Sequence, residues 1–290
     1  MLLLVRWLSH RSLVFLHILG TALGWLTWAL SPSYRRRGHD NARLAGVPPR
    51  QSRAAVAHAG RMVGELPWLW LSTQARPISR WAQWGDGVEL IDAALARGRG
   101  LLLLTPHLGA FEVCAQAYAE RYGATQPMTA LYRPARQPWL REFEAEARHR
   151  PGLVTAPATL AGVRQMIRAL RRGETIGLLP DQVPPEGLGV WAPFFGRPAY
   201  TMTLATRLVQ QTGCEWLLMW TERLGGGRGY RVHVCAPSAP LPASADDDVA
   251  LQLACASALN HEMEQMILRC PEQYLWGYHR YKRPRPELGS

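Results

Sequence analysis

The sequence lacks any pair of cysteines at metal-binding or redox spacing. Its five cysteines are Cys114, Cys214, Cys235, Cys255 and Cys270, and the nearest two stand 15 positions apart. That spacing excludes a zinc framework and a CxxC couple. The cysteines read as reduced core residues of a cytosol-facing domain. Acidic residues are few, with 22 Asp and Glu against 33 Lys and Arg, for a formal net charge of +11. Such a balance calls for an anionic partner, but charge alone does not choose among nucleic acid, acidic lipid, phosphorylated sugar and acidic carrier protein. The arginines are dispersed and no nucleic-acid motif is present, so nucleic acid is not expected. There is no internal repeat and no low-complexity tract. There is no GxSxG elbow either, which removes support for a serine-triad hydrolase. No metal or cofactor is called for.

What is present begins with tryptophan. The 290 residues are 48% hydrophobic and include 12 Trp, while charged residues reach only 19%. Excess Trp with modest charge suggests a protein that meets a membrane interface. Leu13–Leu30 reads LVFLHILGTALGWLTWAL, without Arg, Lys, Asp or Glu. Eighteen residues at 1.5 Å each give roughly 27 Å, just enough to cross a hydrocarbon core. Trp25 and Trp28 stand near one end, Arg35, Arg36 and Arg37 follow, and Arg6 and Arg11 precede. The run reads as a membrane anchor, either spanning or lying in the interface, with the carboxyl-terminal side favoured as cytoplasmic. No small-x-small cleavage site follows it. The expected division is an anchor over residues 1–37 and a catalytic domain over 38–290.

The rest alternates between helix and strand. Residues 38–98 look helical, with Val56, Val63, Leu66 and Trp70 at helical spacing and Pro67 as a kink. Four leucines at 101–104, bounded by turn residues, suggest a fully buried strand. Further strands are expected at 128–132, 175–179, 216–221 and 230–235, and helices at 110–121, 138–148, 159–171 and 202–211. This order implies an α/β fold with a mainly parallel sheet flanked by helices. Active sites of such sheets lie beyond the carboxyl ends of the strands, which directs attention to the loops after Leu104, Tyr132 and Leu179.

The first of these loops reads TPHLGAFE. Pro106 disfavours helix at Thr105, and a helix beginning near Gly109 leaves His107 just before its first turn and Glu112 inside it. On one continuous helix the two side chains would diverge by about 140°. A histidine in the loop can instead fold back. Glu112 would then accept a hydrogen bond from one ring nitrogen, while the other nitrogen takes a proton from an alcohol. The helix amino terminus keeps the resting imidazole neutral.

HLGAFE (107–112) resembles the His-x4-acid motif of glycerolipid and lipid A acyltransferases, with Glu as in the lipid A branch. LYRP (131–134), LPDQ (179–182), APFFG (192–196) with AYT (199–201), and PEQYLW (271–276) with His279, Arg280, Lys282, Arg283 and Pro284 resemble its later blocks, in the same order. The chain from about residue 13 to 286 is thus similar to the lauroyl/myristoyl acyltransferase family of lipid A biosynthesis, within the lysophospholipid acyltransferase superfamily. Val183 departs from the third block, where a polar residue is expected.

The resemblance implies an O-acyltransferase of the bacterial inner membrane, working on the cytoplasmic side. It implies an acyl carrier protein or acyl-CoA as donor and a hydroxyl of an anionic glycolipid, a lipid A precursor, as acceptor. It makes His107 the general base and Glu112 its partner. Arg133 would bind an anionic group of the acceptor, and Arg164 is a further anion-binding candidate. Asp181 and Gln182 would brace the site. Phe194, Phe195 and Gly196 would shape the acyl pocket, and Glu272 and Trp276 would be structural or interfacial. Backbone amides near the helix start would stabilise the oxyanion. The nearest alternative is a phospholipid-type lysophospholipid acyltransferase. The alternative of another class is a membrane-tethered binding protein for an anionic polymer.

Overall fold

The computed structural model of the chain describes residues 2–72, 76–132 and 150–286. Four helices come first: α1 Leu2–Ser9, α2 Leu13–Leu30, α3 Pro32–Leu44 and α4 Pro49–Leu71. Ser12 and Ser31 cap α2 and α3 by accepting from the amides of Phe15 and Tyr34. Pro32 and Pro49 begin α3 and α4, where a missing amide hydrogen costs nothing. The expected boundary after residue 37 falls inside α3. That helix is tied to the carboxyl-terminal segment: the Asn41 amide donates to the carbonyls of Trp276 (2.8 Å) and Tyr278 (3.0 Å).

The strands are β1 Ala82–Trp84, β2 Leu101–Leu104, β3 Met128–Tyr132, β4 Leu153–Pro157, β5 Thr175–Leu178, β6 Gly189–Phe194, β7 Arg197–Met202, β8 Glu215–Arg223 and β9 Tyr230–Cys235. The remaining helices are α5 Val88–Ala96, α6 Phe111–Tyr122, α7 Leu160–Arg171, α8 Leu204–Thr212 and α9 Asp248–Arg269. Seven strands form one sheet in the order β1-β9-β8-β2-β5-β3-β4. Every neighbouring pair is parallel except β8 with β9. Strands β6 and β7 make a separate antiparallel hairpin.

The four leucines of β2 lie at the centre of the sheet and are buried on both faces. Leu102 and Leu104 join one apolar cluster, with Met166, Ile176 and Trp276. Leu101 and Leu103 join the other, with Ile91, Tyr118 and Val232. A strand covered on both faces needs an unbroken apolar run, as this one has. The chain passes from β2 to β3 and β4 on one side, fills the gap with β5, then crosses to β8 on the other. The loop after β2 therefore opens where the winding reverses, the usual place for a site in such sheets.

Several elements depart from the sequence expectation. β1 and β4 were not expected; β1 has only three residues, and β4 exposes Val154. The β6–β7 hairpin and α9 were not expected. Helix α9 buries Gln252, Asn260 and Glu262 among its apolar residues, which blurs its periodicity. Helix α4 faces the core with Ala55, Val56, Gly60, Glu65, Trp68 and Leu69, and Val63 points outward. The expected helix at 138–148 lies outside the described residues. Of the cysteines, Cys114, Cys214, Cys255 and Cys270 are buried, Cys235 is partly so, and all are unbridged.

Helices α2 and α4 pack antiparallel through glycines. A Cβ on Gly60 would sit 2.0 Å from the Gly20 carbonyl oxygen, and one on Gly24 would sit 2.5 Å from that of Val56. The backbones touch because no side chain intervenes. Polar links sit beside this seam: His17 Nε2 lies 3.0 Å from Glu65 Oε2, and Arg61 Nε donates to Thr21 Oγ1 at 2.9 Å. Glu65 also receives Arg223 of β8 in a two-pronged pair, Nε to Oε2 at 2.8 Å and Nη2 to Oε1 at 2.5 Å, plus the Tyr230 hydroxyl at 3.1 Å. Burial would raise the Glu65 carboxyl, but the Arg223 charge and hydrogen bonds more than offset it and hold it below the usual range. Burial and the facing Arg223 and Arg61 push His58 down to about 3, so it is neutral.

Breaking such a pair strands a buried charge. Arg223→Met should cost about 3–5 kcal/mol, whereas Arg223→Met combined with Glu65→Leu should cost clearly less than the sum of the singles. Urea unfolding of the three variants checks this; additive losses would mean that the pair is not coupled.

Candidate active site

The loop after β2 is clamped from three sides. The Thr105 amide donates to Leu178 O at 3.1 Å, which extends the pairing of β2 with β5. The Gly109 amide donates to Gln273 O at 3.0 Å, and the Ala110 amide to Thr221 O at 2.9 Å. Arg223 Nη2 donates to Gly109 O at 3.1 Å. Gly109 has φ of 60°, and a Cβ there would meet Thr221 O at 1.9 Å. Only glycine fits, because the left-handed turn and the close approach to β8 coincide.

This clamp presents His107 with its side chain 17% exposed, beside an almost fully buried Asp181. Asp181 follows β5, the strand next to β2, so it reaches the loop directly. Its carboxylate takes two bonds from one residue: the His107 amide at 3.0 Å and ring Nδ1 at 2.7 Å. Burial alone would raise the Asp181 carboxyl. The His107 imidazole, both hydrogen bonds and the nearby Arg280 outweigh that and hold it below the usual carboxylate range. With Nδ1–H donating to Asp181, the lone pair lies on Nε2, where the Gln182 amide nitrogen approaches to 2.9 Å. The Phe111 ring packs edge-on against the imidazole at 4.8 Å.

Two expectations need correction. The hydrogen bond expected between His107 and Glu112 is taken by Asp181. Helix α6 starts at Phe111, so Glu112 sits in its first turn, within electrostatic reach of Arg150. Asp181, delivered by the adjacent strand, is better placed to meet Nδ1. The amides expected to stabilise an oxyanion are partly committed: those of Leu108, Gly109 and Ala110, just before the helix, donate to backbone carbonyls.

The other candidates are spread out. Arg164 is exposed in the second turn of α7, the helix that follows β4 at the far edge of the sheet. Arg133 lies outside the described residues. Phe194, Phe195 and Gly196 form the tip of the β6–β7 hairpin, and Phe195 has φ of 46°. Both turn residues are left-handed, a geometry in which an aromatic residue is strained by about 1–3 kcal/mol. It is held by its amide bond to Glu264 (2.6 Å) and by its ring against Trp276 (5.7 Å). Trp276 in turn packs edge-on to Tyr274, which bridges to Leu108. Arg280, buried, donates to Tyr200 O and Thr201 Oγ1 and lies over the Phe194 ring. The Val183 amide donates to the Tyr278 hydroxyl at 2.9 Å.

Sequence reasoning missed the framework residues Glu65, Arg223 and Gln273. Glu65 carried a faint signal, since it lies within an apolar helical stretch. Gln273 stood within the PEQYLW block, but its role did not show, because its side chain works on the backbone of Arg223, 50 positions away.

An open, mainly parallel sheet with a carboxylate-held histidine at its carboxyl edge defines an α/β enzyme fold. The chain matches the family of bacterial lipid A biosynthesis acyltransferases over residues 2–283, and it belongs to that family. It is an acyltransferase. Among known proteins it is 28% identical over 229 residues to the lipid A biosynthesis lauroyltransferase of Escherichia coli, covering 79% of this chain and 69% of that one. To the lipid A biosynthesis palmitoleoyltransferase of the same organism it is 27% identical, covering 75% of this chain and 66% of that one. To the phosphatidylinositol mannoside acyltransferase of Mycobacterium tuberculosis it is 26% identical, covering 66% of this chain and 62% of that one. The chain thus spans about two-thirds of the length of these relatives.

Asp181 has a testable acid signature. Its folded pKa lies below the unfolded carboxylate value of about 3.9. The stability it contributes is therefore present above about pH 4 and is lost as pH falls through the lower, folded value. The stability gap between wild type and Asp181→Asn should be widest near neutrality and close below about pH 4. Thermal melts across that range measure it, and a gap independent of pH would rule out an ionised Asp181.

Proposed function

We propose that the protein transfers a fatty acyl group from an acyl thioester to a hydroxyl of a lipid A precursor, with His107 as general base. The observation that carries this reading is the imidazole itself. It lies at the carboxyl edge of the sheet, partly exposed, with Nδ1 held by Asp181 and the Nε2 lone pair facing the Gln182 side-chain amide. The family membership supports acyl transfer, and the lipid A names of the relatives support the acceptor.

In this mechanism the acceptor hydroxyl displaces the Gln182 amide at Nε2. His107 removes its proton as the oxygen attacks the thioester carbonyl. The tetrahedral intermediate collapses with cleavage of the carbon–sulfur bond, and the proton on Nε2 passes to the leaving thiolate. Asp181 fixes the tautomer and stabilises the imidazolium. Glu112 contributes negative charge in the first turn of α6 rather than a bond to the ring. The dipole of α6 favours the developing oxyanion. Arg133, and at longer range Arg164, bind anionic groups of the acceptor by charge-assisted hydrogen bonds. The Phe194–Phe195–Gly196 tip lines the acyl chain path. The donor is an acyl carrier protein, whose acidic surface suits a chain of net charge +11, and transfer takes place on the cytoplasmic face of the inner membrane. The phosphatidylinositol mannoside relative favours one second reading, in which the acceptor is another anionic glycolipid.

Purified full-length enzyme, acyl carrier protein and acyl-CoA donors, and both acceptor classes, with products read by mass, test the proposal. Acylated lipid A precursor is expected from the carrier-protein donor; no product from any thioester would overturn the reading. His107→Ala should lose at least about 10²-fold in turnover, in line with the loss of a general base. Asp181→Asn should lose at least as much as Glu112→Gln and should alter the pH profile. If Glu112→Gln alone is crippling, the order of the two carboxylates proposed here is wrong. Arg133→Lys and Arg133→Ala should each cost about 1.5–3 kcal/mol, mainly on phosphorylated acceptors.

A further inference from the structure

Helix α2 is long and apolar enough to cross a membrane, yet its surroundings do not suit a crossing. Its partner α4 is bedded in the protein. Ala55 of α4 belongs to the apolar cluster of Leu102 and Leu104, and Trp68 and Leu69 belong to the cluster of Leu101 and Leu103. These clusters lie on opposite faces of the sheet, so α4 is held to the body at points roughly 20 Å apart. Helix α2 lies antiparallel along this same stretch, with Gly20 against Gly60, Gly24 against Val56 and Gly64 against Leu16. The Gly225–Gly227 turn between β8 and β9 also touches α2, at Val14. If α2 stood upright across a bilayer, α4 would enter with it. So would Arg53, His58, Arg61 and the Glu65–Arg223 pair, and then the flank of the sheet. An arginine at the bilayer centre alone costs about 2.5–3.5 kcal/mol or more.

The other side of α2 is bare. Only 22% of its residues are buried, too few for the core helix of a water-soluble protein. Val14, Phe15, Ile18, Leu23, Trp25, Leu26 and Leu30 are exposed, and Leu3, Leu4 and Trp7 of α1 add to them. Thr27, the exposed hydroxyl of this surface, is satisfied internally by Leu23 O at 2.8 Å. Arginines mark both ends: Arg11 lies over the Trp7 ring at 4.5 Å, Arg35 lies over Trp28 at 5.1 Å, and Arg6 and Arg36 are exposed beside them. Aromatic rings with arginines folded over them suit the headgroup boundary of an anionic membrane.

We infer that α1 and α2 lie in the plane of one leaflet of an anionic bilayer, with both ends of α2 on the same side of the membrane. The inference rests on the membrane attachment expected of a lipid acyltransferase and adds its geometry. It also brings the membrane close to the base. His17 of α2 contacts Glu65, Glu65 contacts Arg223, and Arg223 holds the carbonyl of Gly109, two residues from His107. A hydroxyl carried by a membrane lipid then has a short route to Nε2 without leaving the interface.

Sidedness and flotation test this with the full-length chain. His10→Cys and Ser33→Cys, made singly, place an exposed thiol before and after α2. Wild type, with its buried or half-buried cysteines, is the labelling control. A membrane-impermeant maleimide should label both sites in the same preparation, inverted or right-side-out membrane vesicles, and neither in the other. Labelling of the two in opposite preparations would overturn the in-plane placement and establish a span. Separately, the protein should float with phosphatidylcholine–phosphatidylglycerol vesicles. Ile18→Glu with Leu26→Glu should reduce the floated fraction by on the order of tenfold or more, because both side chains leave the apolar boundary. Undiminished flotation of that variant would sink the proposed face. Failure of wild type to float would remove the bilayer as partner altogether. Acyl transfer measured in detergent reports on the enzymatic reading independently.

Discussion

The buried pair of Glu65 and Arg223 is the constraint on which the arrangement turns. Arg223 ends the central strand β8, Glu65 comes from α4, and neither side chain is exposed. A lone charge in that position would be expelled or neutralised, so each residue fixes the other. The spare capacity of both is then spent locally. Glu65 receives His17 of α2 and the Tyr230 hydroxyl, while Arg223 reaches the Gly109 carbonyl. Through these bonds one ion pair sets the seat of the amino-terminal helices, the edge of the sheet and the turn that carries His107. Such a pair adds little net stability over an apolar replacement. What it supplies here is position.

His107 is positioned by the same logic of short reach. Neighbouring strands lie about 4.8 Å apart, so the residue just past β5 faces the loop just past β2 almost unavoidably. That is how Asp181 binds both the amide and the ring of His107. Glu112 sits in the first turn of a helix that starts only at Phe111.

Much of this was legible in the chain. Strands buried on both faces declare themselves as apolar runs, and Leu101–Leu104 did so to the residue. Turn residues bounded it, and Pro106 marked its exit, so the position of His107 at the sheet edge followed from local chemistry. Elements that depend on partners were silent. The three-residue strand β1 exists because β9 offers it an edge. Helix α9 hides Asn260 and Glu262 inside because Asn260 donates to Pro193 O and Thr201 Oγ1 and Glu262 accepts from the Ser238 amide. No periodicity can show such a bargain. Asp181 was legible as a site residue but not as the partner of Nδ1, since that depends on strand order, and strand order is a property of the assembled sheet.

The contact between Gln182 and Nε2 has a consequence for fidelity. For a base in the role proposed, the lone pair that would activate an acceptor hydroxyl would equally activate water, and water would waste the thioester. In the acceptor-free site that lone pair faces an amide nitrogen, which carries no oxygen to be made nucleophilic. In that role the glutamine would act as a placeholder: an arriving hydroxyl would have to outcompete a fixed internal donor before being activated. A guest that can only visit briefly, as a stray water does, would be filtered out, while one tethered by a lipid body and held by its anionic group would not.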